Sequence, residues 1–321
     1  MKPGYKWSVI GQSVRGASHP RSGLPNQDAI KYHAGTDGEP PVLLAISDGH
    51  GSPKSFRSAV GAQRAVEVAV RVTKTFLDRM KDLPLSAVKN AAERFLPADI
   101  VKTWMQEVDE HLRSNPFLAE ELDRLEREAG VAAKEAAIAN ERHRIAYGAT
   151  LLLVAVSDSY LFYLQLGDGD ILTVSDKTQE VESPLPQDAS LIANETTSLC
   201  MDSAAKLFRF RFQFVQGIPP ALILASTDGY SNSFSTPGDF YKVGTDLLGM
   251  IQKNGLDYVQ ESLAAWLEDA SRSGSGDDVS LGIICRRGIA QPEHKEGDVA
   301  PEESRAVPAT DQPPQPAPPP E

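Results

Sequence analysis

Short apolar runs recur along this chain, and several of them lead into aspartate-bearing turns. Residues 7–14 read as a first strand, and residues 28–33 alternate apolar and polar side chains over a short span. Residues 42–46 form an apolar run that leads into Ser47-Asp48-Gly49. Residues 147–156 read Tyr-Gly-Ala-Thr-Leu-Leu-Leu-Val-Ala-Val; the turn residues Ser157-Asp158-Ser159 and a second run at 160–166 follow. Two such runs around a polar turn predict a β-hairpin. Between 208 and 214, Phe holds the even positions while Arg209, Arg211 and Gln213 face the other way. Period two of this kind predicts a strand with one buried face. Residues 221–225 and 279–284 are further apolar strands.

The spacing changes between these runs. Residues 55–77 place Phe56, Val60, Ala65, Val68 and Val72 mostly three to five apart, which predicts a helix. Helical character continues over 85–112 after Pro84, and from Leu118 through Leu122, Leu125, Ala129 and Ala132. In this last stretch Glu120 with Arg124 and Asp123 with Arg127 are acid-then-base pairs four apart, which predicts a solvated face. Residues 240–251 and 256–271 are two late helices. Hairpins and alternating strands favour antiparallel over parallel sheets. The predicted fold class is α+β: a four-layer α/β/β/α sandwich with two antiparallel β-sheets flanked by helices. One domain is expected over residues 1–288, with a helical block at about 54–145 inside it.

The last segment, 289–321, differs in kind. It holds nine of the 23 prolines and little apolar material, so it is expected to be disordered and partly polyproline II. Such a tail could dock an aromatic groove on a partner; a solubilising tail is the plainer reading. Across the chain, 41% hydrophobic and 24% charged residues allow a sizeable core. The net charge of −12 argues against a nucleic-acid partner. Cys200 and Cys285 do not form a CxxC pair, so they read as reduced thiols of a cytoplasmic protein. The start of the chain carries no apolar signal segment, and the longest apolar run among the strands is far too short to span a bilayer.

The chemistry lies in the acidic turns. Asp-Gly occurs at 37–38, 48–49, 168–169 and 228–229; Asp28 follows Asn26-Gln27, and Asp277 precedes Asp278. Asp-Gly alone signals a tight turn, and Asp37 reads as that. Asp28, Asp48, Asp168, Asp228 and Asp277 instead flank apolar strands, where an uncompensated carboxylate is costly. Together they suggest a pocket for hard metal ions with oxygen ligands. No P-loop, HExxH or GxSxG motif is present in the sequence.

The set resembles the metal-dependent protein phosphatases of the PP2C type, and a bacterial branch of them. The resemblance spans most of residues 5–287. It rests on Asn26-Gln27-Asp28, Ser47-Asp48-Gly49-His50-Gly51, Gly148-Ala149-Thr150, Gly167-Asp168-Gly169, Thr227-Asp228-Gly229 and Gly276-Asp277-Asp278-Val279-Ser280, in that order. It implies that Asp48 bridges two Mn²⁺ or Mg²⁺ ions, with the Gly49 carbonyl on one of them. Asp228 and Asp277 would complete the second ion's shell, with Asp28 in or beside it, and Asp168 would hold a third, weaker ion. A metal-bridging hydroxide would then attack phosphorus in line, and His50 would protonate the leaving alkoxide. The other five histidines read as ordinary surface or core residues.

Two departures stand out. The family's phosphate-gripping arginine falls at Gly23 here, which leaves Arg21 and then Arg15 as candidates, Arg21 preferred. The residue after the Gly-Asp-Gly turn is Asp170, a further carboxylate for a third ion or for solvent. Residues 231–242 resemble the flap that shapes substrate access. The implied activity is that of a phosphoserine/phosphothreonine protein phosphatase, a monomer opposing a Ser/Thr kinase. The alternatives are a catalytically weak binding module of the same fold and a hydrolase of small phosphate esters.

Overall fold

The computed structural model describes residues 4–139, 142–186 and 197–289, and the backbone alone at 21 and 22. The tail from residue 290 lies outside the described residues, as does His294. In chain order the elements are β1 (Trp7–Val14), α1 (His19–Ser22), β2 (Ala29–His33), β3 (Val42–Ser47), α2 (Ser58–Met80), α3 (Leu85–Arg94), α4 (Leu96–Ser114), α5 (Ala119–Ala129) and α6 (Val131–Ile138). There follow β4 (Leu151–Val156), β5 (Tyr160–Leu166), β6 (Asp170–Val174), β7 (Val181–Glu182), α7 (Ala204–Leu207), β8 (Arg209–Phe214), β9 (Leu222–Ser226), α8 (Asp228–Ser231), α9 (Pro237–Asn254), α10 (Leu256–Ser273) and β10 (Val279–Arg286).

Two five-stranded antiparallel sheets face each other, in the orders β1-β10-β9-β6-β7 and β2-β3-β4-β5-β8. The expected α+β sandwich is therefore the fold. Most central strands are buried on both faces, which is why they read as continuous apolar runs. Along β3, Val42, Leu44 and Ile46 enter the core between the sheets with Val154, Tyr163 and Ile284. Leu43 and Ala45 point the other way, into a core shared with Ala65, Val66 and Trp104 of the helical layer. The opposite layer, α9 and α10, packs Phe240, Leu247 and Leu263 on Leu224, Leu281 and Ile283. Among the described residues no helix is long and apolar enough to cross a membrane.

Several expectations need correction. The run 147–156 is strand only from Leu151; Tyr147 closes a 3₁₀ turn and Ala149 makes a lone bridge to Gly49. The helix expected over 85–112 breaks at Phe95, next to Leu96-Pro97, because proline fits the first turn of a new helix better than a helix interior. The next one breaks at Gly130, whose φ of 87° ends α5. The acid-base pairs expected within α5 give way to Lys134 of α6, which reaches both Asp123 and Glu126. That helix is not merely solvated either, because Leu125 is buried and Glu121 pairs with Arg57. The phenylalanine face of β8 is only partly covered at the sheet edge: Phe212 is buried against Tyr160, while Phe214 is 42% exposed. Strands β6 and β7 had no counterpart among the expected elements. Over residues 231–242 α8 ends and α9 begins, with Phe240 buried.

Candidate active site

Register decides where the acidic turns meet. Ala29 pairs with Ser47, so Asp28 before β2 and Asp48 after β3 lie at one end of their sheet. Leu151 pairs with Leu166, which brings Thr150 and the Gly167-Asp168-Gly169 turn to the same end. In the other sheet Val14 pairs with Val279, and Ser226 pairs with both Leu281 and Asp170. Asp228 and Asp277 therefore project from the matching end. Asp28 and Asp48 come from one sheet, Asp228 and Asp277 from the other, and Asp168 from the turn that joins β5 of the first to β6 of the second.

Each turn is fixed by short polar contacts. Thr150 holds the Asp48 turn from both sides: its Oγ1 accepts from Asp48 N at 2.9 Å and its N–H donates to Asp48 O at 2.8 Å. His50 N donates to Gly148 O at 3.1 Å. A side chain at Gly148 would put its Cβ 2.6 Å from the His50 ring, so a larger residue there would displace that ring. Gly49 N donates to Gln27 O, and Gln27 Nε2 donates to Ser58 Oγ and His50 O. Asp28 Oδ2 accepts from Thr227 Oγ1 and Ser280 Oγ, both at 2.8 Å, across the seam between the sheets. Gln165 Nε2 braces the Asp168 turn through the Gly167 and Gly169 carbonyls, and Gly167 adopts φ 106°. Asn232 Nδ2 donates to Asp228 Oδ2 at 3.0 Å.

The carboxylates feel one another. Burial, with added repulsion from Asp278 and Asp277, pushes Asp28 up to about 8. Asp48 is raised by burial and by the charges of Asp28, Asp228 and Asp277, and Asp228 by burial and the charge of Asp168. Asp48 and Asp228 lie close enough to act on each other directly, and Asp277 adds its charge to both. Asp170 also belongs to the cluster, not to solvent: burial raises it, and the charges of Asp228 and Asp168 act on it. Such a set is short of positive charge, and all of its donors are oxygens. That chemistry fits hard divalent cations. Burial pushes the His50 pKa down, and the Asp168 carboxylate works against that shift.

Not every expected residue joins this site. The Arg21 side chain lies outside the described residues. Arg15 is exposed, and its Nη2 donates to the His19 carbonyl at 3.1 Å. Asp37 stays outside the site, paired with Lys6 and with Arg287 on the sandwich surface. His111 and His143 bond Tyr147 and Asp109 in the helical block. His19, which read as an ordinary histidine, is 7% exposed and sits against Asp277 and Asp278. No local spacing marks it, because its partners lie at the far end of the sequence.

The family model described as protein phosphatase 2C matches residues 15–268. No curated protein sequence matches the chain. Among solved structures, the serine/threonine phosphatase Stp1 from Staphylococcus aureus is similar at 13% identity and a TM-score of 0.55, covering 90% of this chain and 98% of that one. A bacterial serine phosphatase is similar at 14% identity and a TM-score of 0.54, covering 87% and 97%. PppA of Pseudomonas aeruginosa, titled a key regulatory component of its T6SS, is similar at 13% identity and a TM-score of 0.51, covering 88% and 99%.

Proposed function

The chain belongs to the protein phosphatase 2C family, whose members are metal-dependent, and on that premise we propose that it dephosphorylates phosphoserine and phosphothreonine in proteins. The observation that carries this reading is the meeting of Asp28, Asp48, Asp168, Asp228 and Asp277 at one end of both sheets, under-neutralised as a group. Asp28, Asp48, the Gly49 carbonyl, Asp228 and Asp277 would hold two Mn²⁺ or Mg²⁺ ions, and Asp168, with Asp170 beside it, a third. Bound there, such ions supply activation of the attacking water and neutralisation of charge on the phosphoryl oxygens.

The chain's own residues do the rest. Thr227 and Ser280 hold Asp28 in place across the sheet seam. His50 is the proton donor to the leaving alkoxide; burial pushes its pKa down, and the Asp168 carboxylate offsets part of that shift. Water attacks phosphorus directly, with no phosphoenzyme. Neither cysteine suits a nucleophile: burial pushes the Cys285 thiol up to about 12 and raises Cys200 as well. Arg21 is the proposed grip on the substrate phosphate.

The test is turnover of a phosphothreonine peptide by the purified chain. It should require Mn²⁺ or Mg²⁺ and stop with EDTA; metal-independent turnover would overturn the reading. Turnover of small aryl esters alone, with no phosphopeptide hydrolysed, would favour a small-ester hydrolase instead. His50→Ala should lose more rate on alkyl than on activated aryl esters, whose leaving groups need little protonation. Equal losses would remove the proton-donor role.

A further inference from the structure

Among the described residues, His19, Asp277 and Asp278 form a group whose potential ligand atoms all lie within 4.8 Å of one another. The segment that carries His19 is laced onto the turn that carries the two aspartates. Gly16 N donates to Asp278 Oδ1 at 2.6 Å, Ala17 N to Ser271 Oγ at 2.9 Å, and Ser18 N and Oγ to the Gly276 carbonyl at 2.9 and 2.7 Å. Asp278 is buried, and its Oδ2 accepts from Gln27 N at 2.6 Å.

The imidazole has two distinct sides. Nδ1 lies 2.9 Å from Asp278 Oδ1 and 3.2 Å from the Pro25 carbonyl. Both ring nitrogens face acceptors, and Nδ1 has the two closer ones, so in the neutral ring Nδ1 carries the hydrogen. Nε2 lies 3.4 Å from Asp277 Oδ1, and the His19 side chain is 9% exposed against 58% for that of Asp277. An N–H held by a buried carboxylate, with the opposite ring nitrogen turned to a candidate ligand oxygen, is the arrangement of a metal-binding histidine and its outer carboxylate. Adjacent ligands about 2.1 Å from one octahedral ion lie roughly 3 Å apart, close to the spacing of Nε2 and Asp277 Oδ1.

We propose that His19 Nε2 is a nitrogen ligand to the divalent cation held by Asp277, with Asp278 fixing the ring through Nδ1. The proposal rests on the reading of the acidic cluster as a cation site. It makes one ion of the centre mixed N/O in character. Nitrogen ligation favours Mn²⁺ and later first-row metals over Mg²⁺.

The test uses the full chain loaded with Mn²⁺. Pulsed EPR on protein carrying ¹⁵N-histidine should show nitrogen coupling to bound manganese. The coupling should persist in His50→Ala and vanish in His19→Gln. By calorimetry His19→Gln should weaken Mn²⁺ binding about 10-fold or more, and Mg²⁺ binding less. A melt of the metal-free variant checks that it is folded. If His19→Gln does not fold, the wild-type and His50→Ala spectra decide the matter without it. Bound manganese with no nitrogen coupling in the wild type overturns the proposal and leaves the cation site standing. If the wild type binds no Mn²⁺ while Asp228→Asn behaves identically, the underlying cation reading fails as well.

Discussion

Two clusters of buried charge flank the Tyr147-Gly148 turn and are built on opposite rules. On the helical side Arg57 is 9% exposed, yet every nitrogen of its guanidinium has a partner. Nε and Nη2 make a bidentate pair with Glu121 at 2.9 and 2.7 Å; Nη1 donates to Asn115 O and Tyr147 OH, and Nη2 also to Pro116 O. The Phe117 ring centroid lies 4.7 Å from Arg57 Cζ. On the other side carboxylates crowd one another, and burial and mutual repulsion raise several of them. The first cluster is complete within the protein, while the second, on the proposed reading, is completed by bound cations. A buried charge with all its partners present is architecture; a set of like charges held together by neutral donors points to function.

Loss of one member should therefore have opposite consequences in the two clusters. The largest effect is expected from Asp228→Asn. Its kcat on a phosphothreonine peptide should fall about 10³-fold or more, corresponding to several kcal/mol of lost charge stabilisation, with the fold retained by circular dichroism. Full activity would end the cation reading. Next is Arg57→Leu, which removes the charge partner of Glu121 and leaves that carboxylate only Leu118 N and the Tyr147 hydroxyl only His111. It should cost about 3 kcal/mol in a urea melt, and a loss near zero would mean that the helical cluster is not a structural latch.

Asp28→Asn should show the smallest and most telling change. The substituted amide can still accept from Thr227 and Ser280, but it does not ionise. Asp28 is raised in the folded chain to about 8 from an ordinary value of 3.8. The folded state thus holds a proton that the unfolded state has lost, and metal-free stability falls as pH climbs between those values. In EDTA the variant should melt higher than the wild type by about a few degrees at pH 8 and equally near pH 4. With Mn²⁺ present the order should reverse, because only the wild type gains a full ligand set. A wild type that melts higher in EDTA at pH 8 would contradict the crowding.

Much of this was legible in the sequence because the signals are local. Strands β1 and β5 are legible with the limits seen in the structure, β5 as an apolar run, and Asp48 and Asp228 are marked by the glycine that follows each. Strand β6 was missed because its first residue, Asp170, reads as part of an acidic turn and only four residues follow it. The helix breaks at Phe95 and Gly130 were smoothed over by an apolar spacing that continues across them. His19 and Arg57 could not be read at all. Each takes its meaning from a partner distant in the chain, Asp278 and Glu121, and no periodicity encodes such a meeting.

The seam between the sheets gives the site a second dependence. Asp28 and Asp48 ride on one sheet and Asp228 and Asp277 on the other, with Asp168 on the turn between them, so the gap between the sheets sets the distances among them. That gap is filled by Leu44, Ile46, Tyr163 and Ile284. At Gly282 an added Cβ would meet the Leu44 side chain at 2.5 Å. The apolar interior is thus the spacer that gauges the acidic mouth. A bound cation would in turn act as a rivet between the two sheets, resisting their sliding.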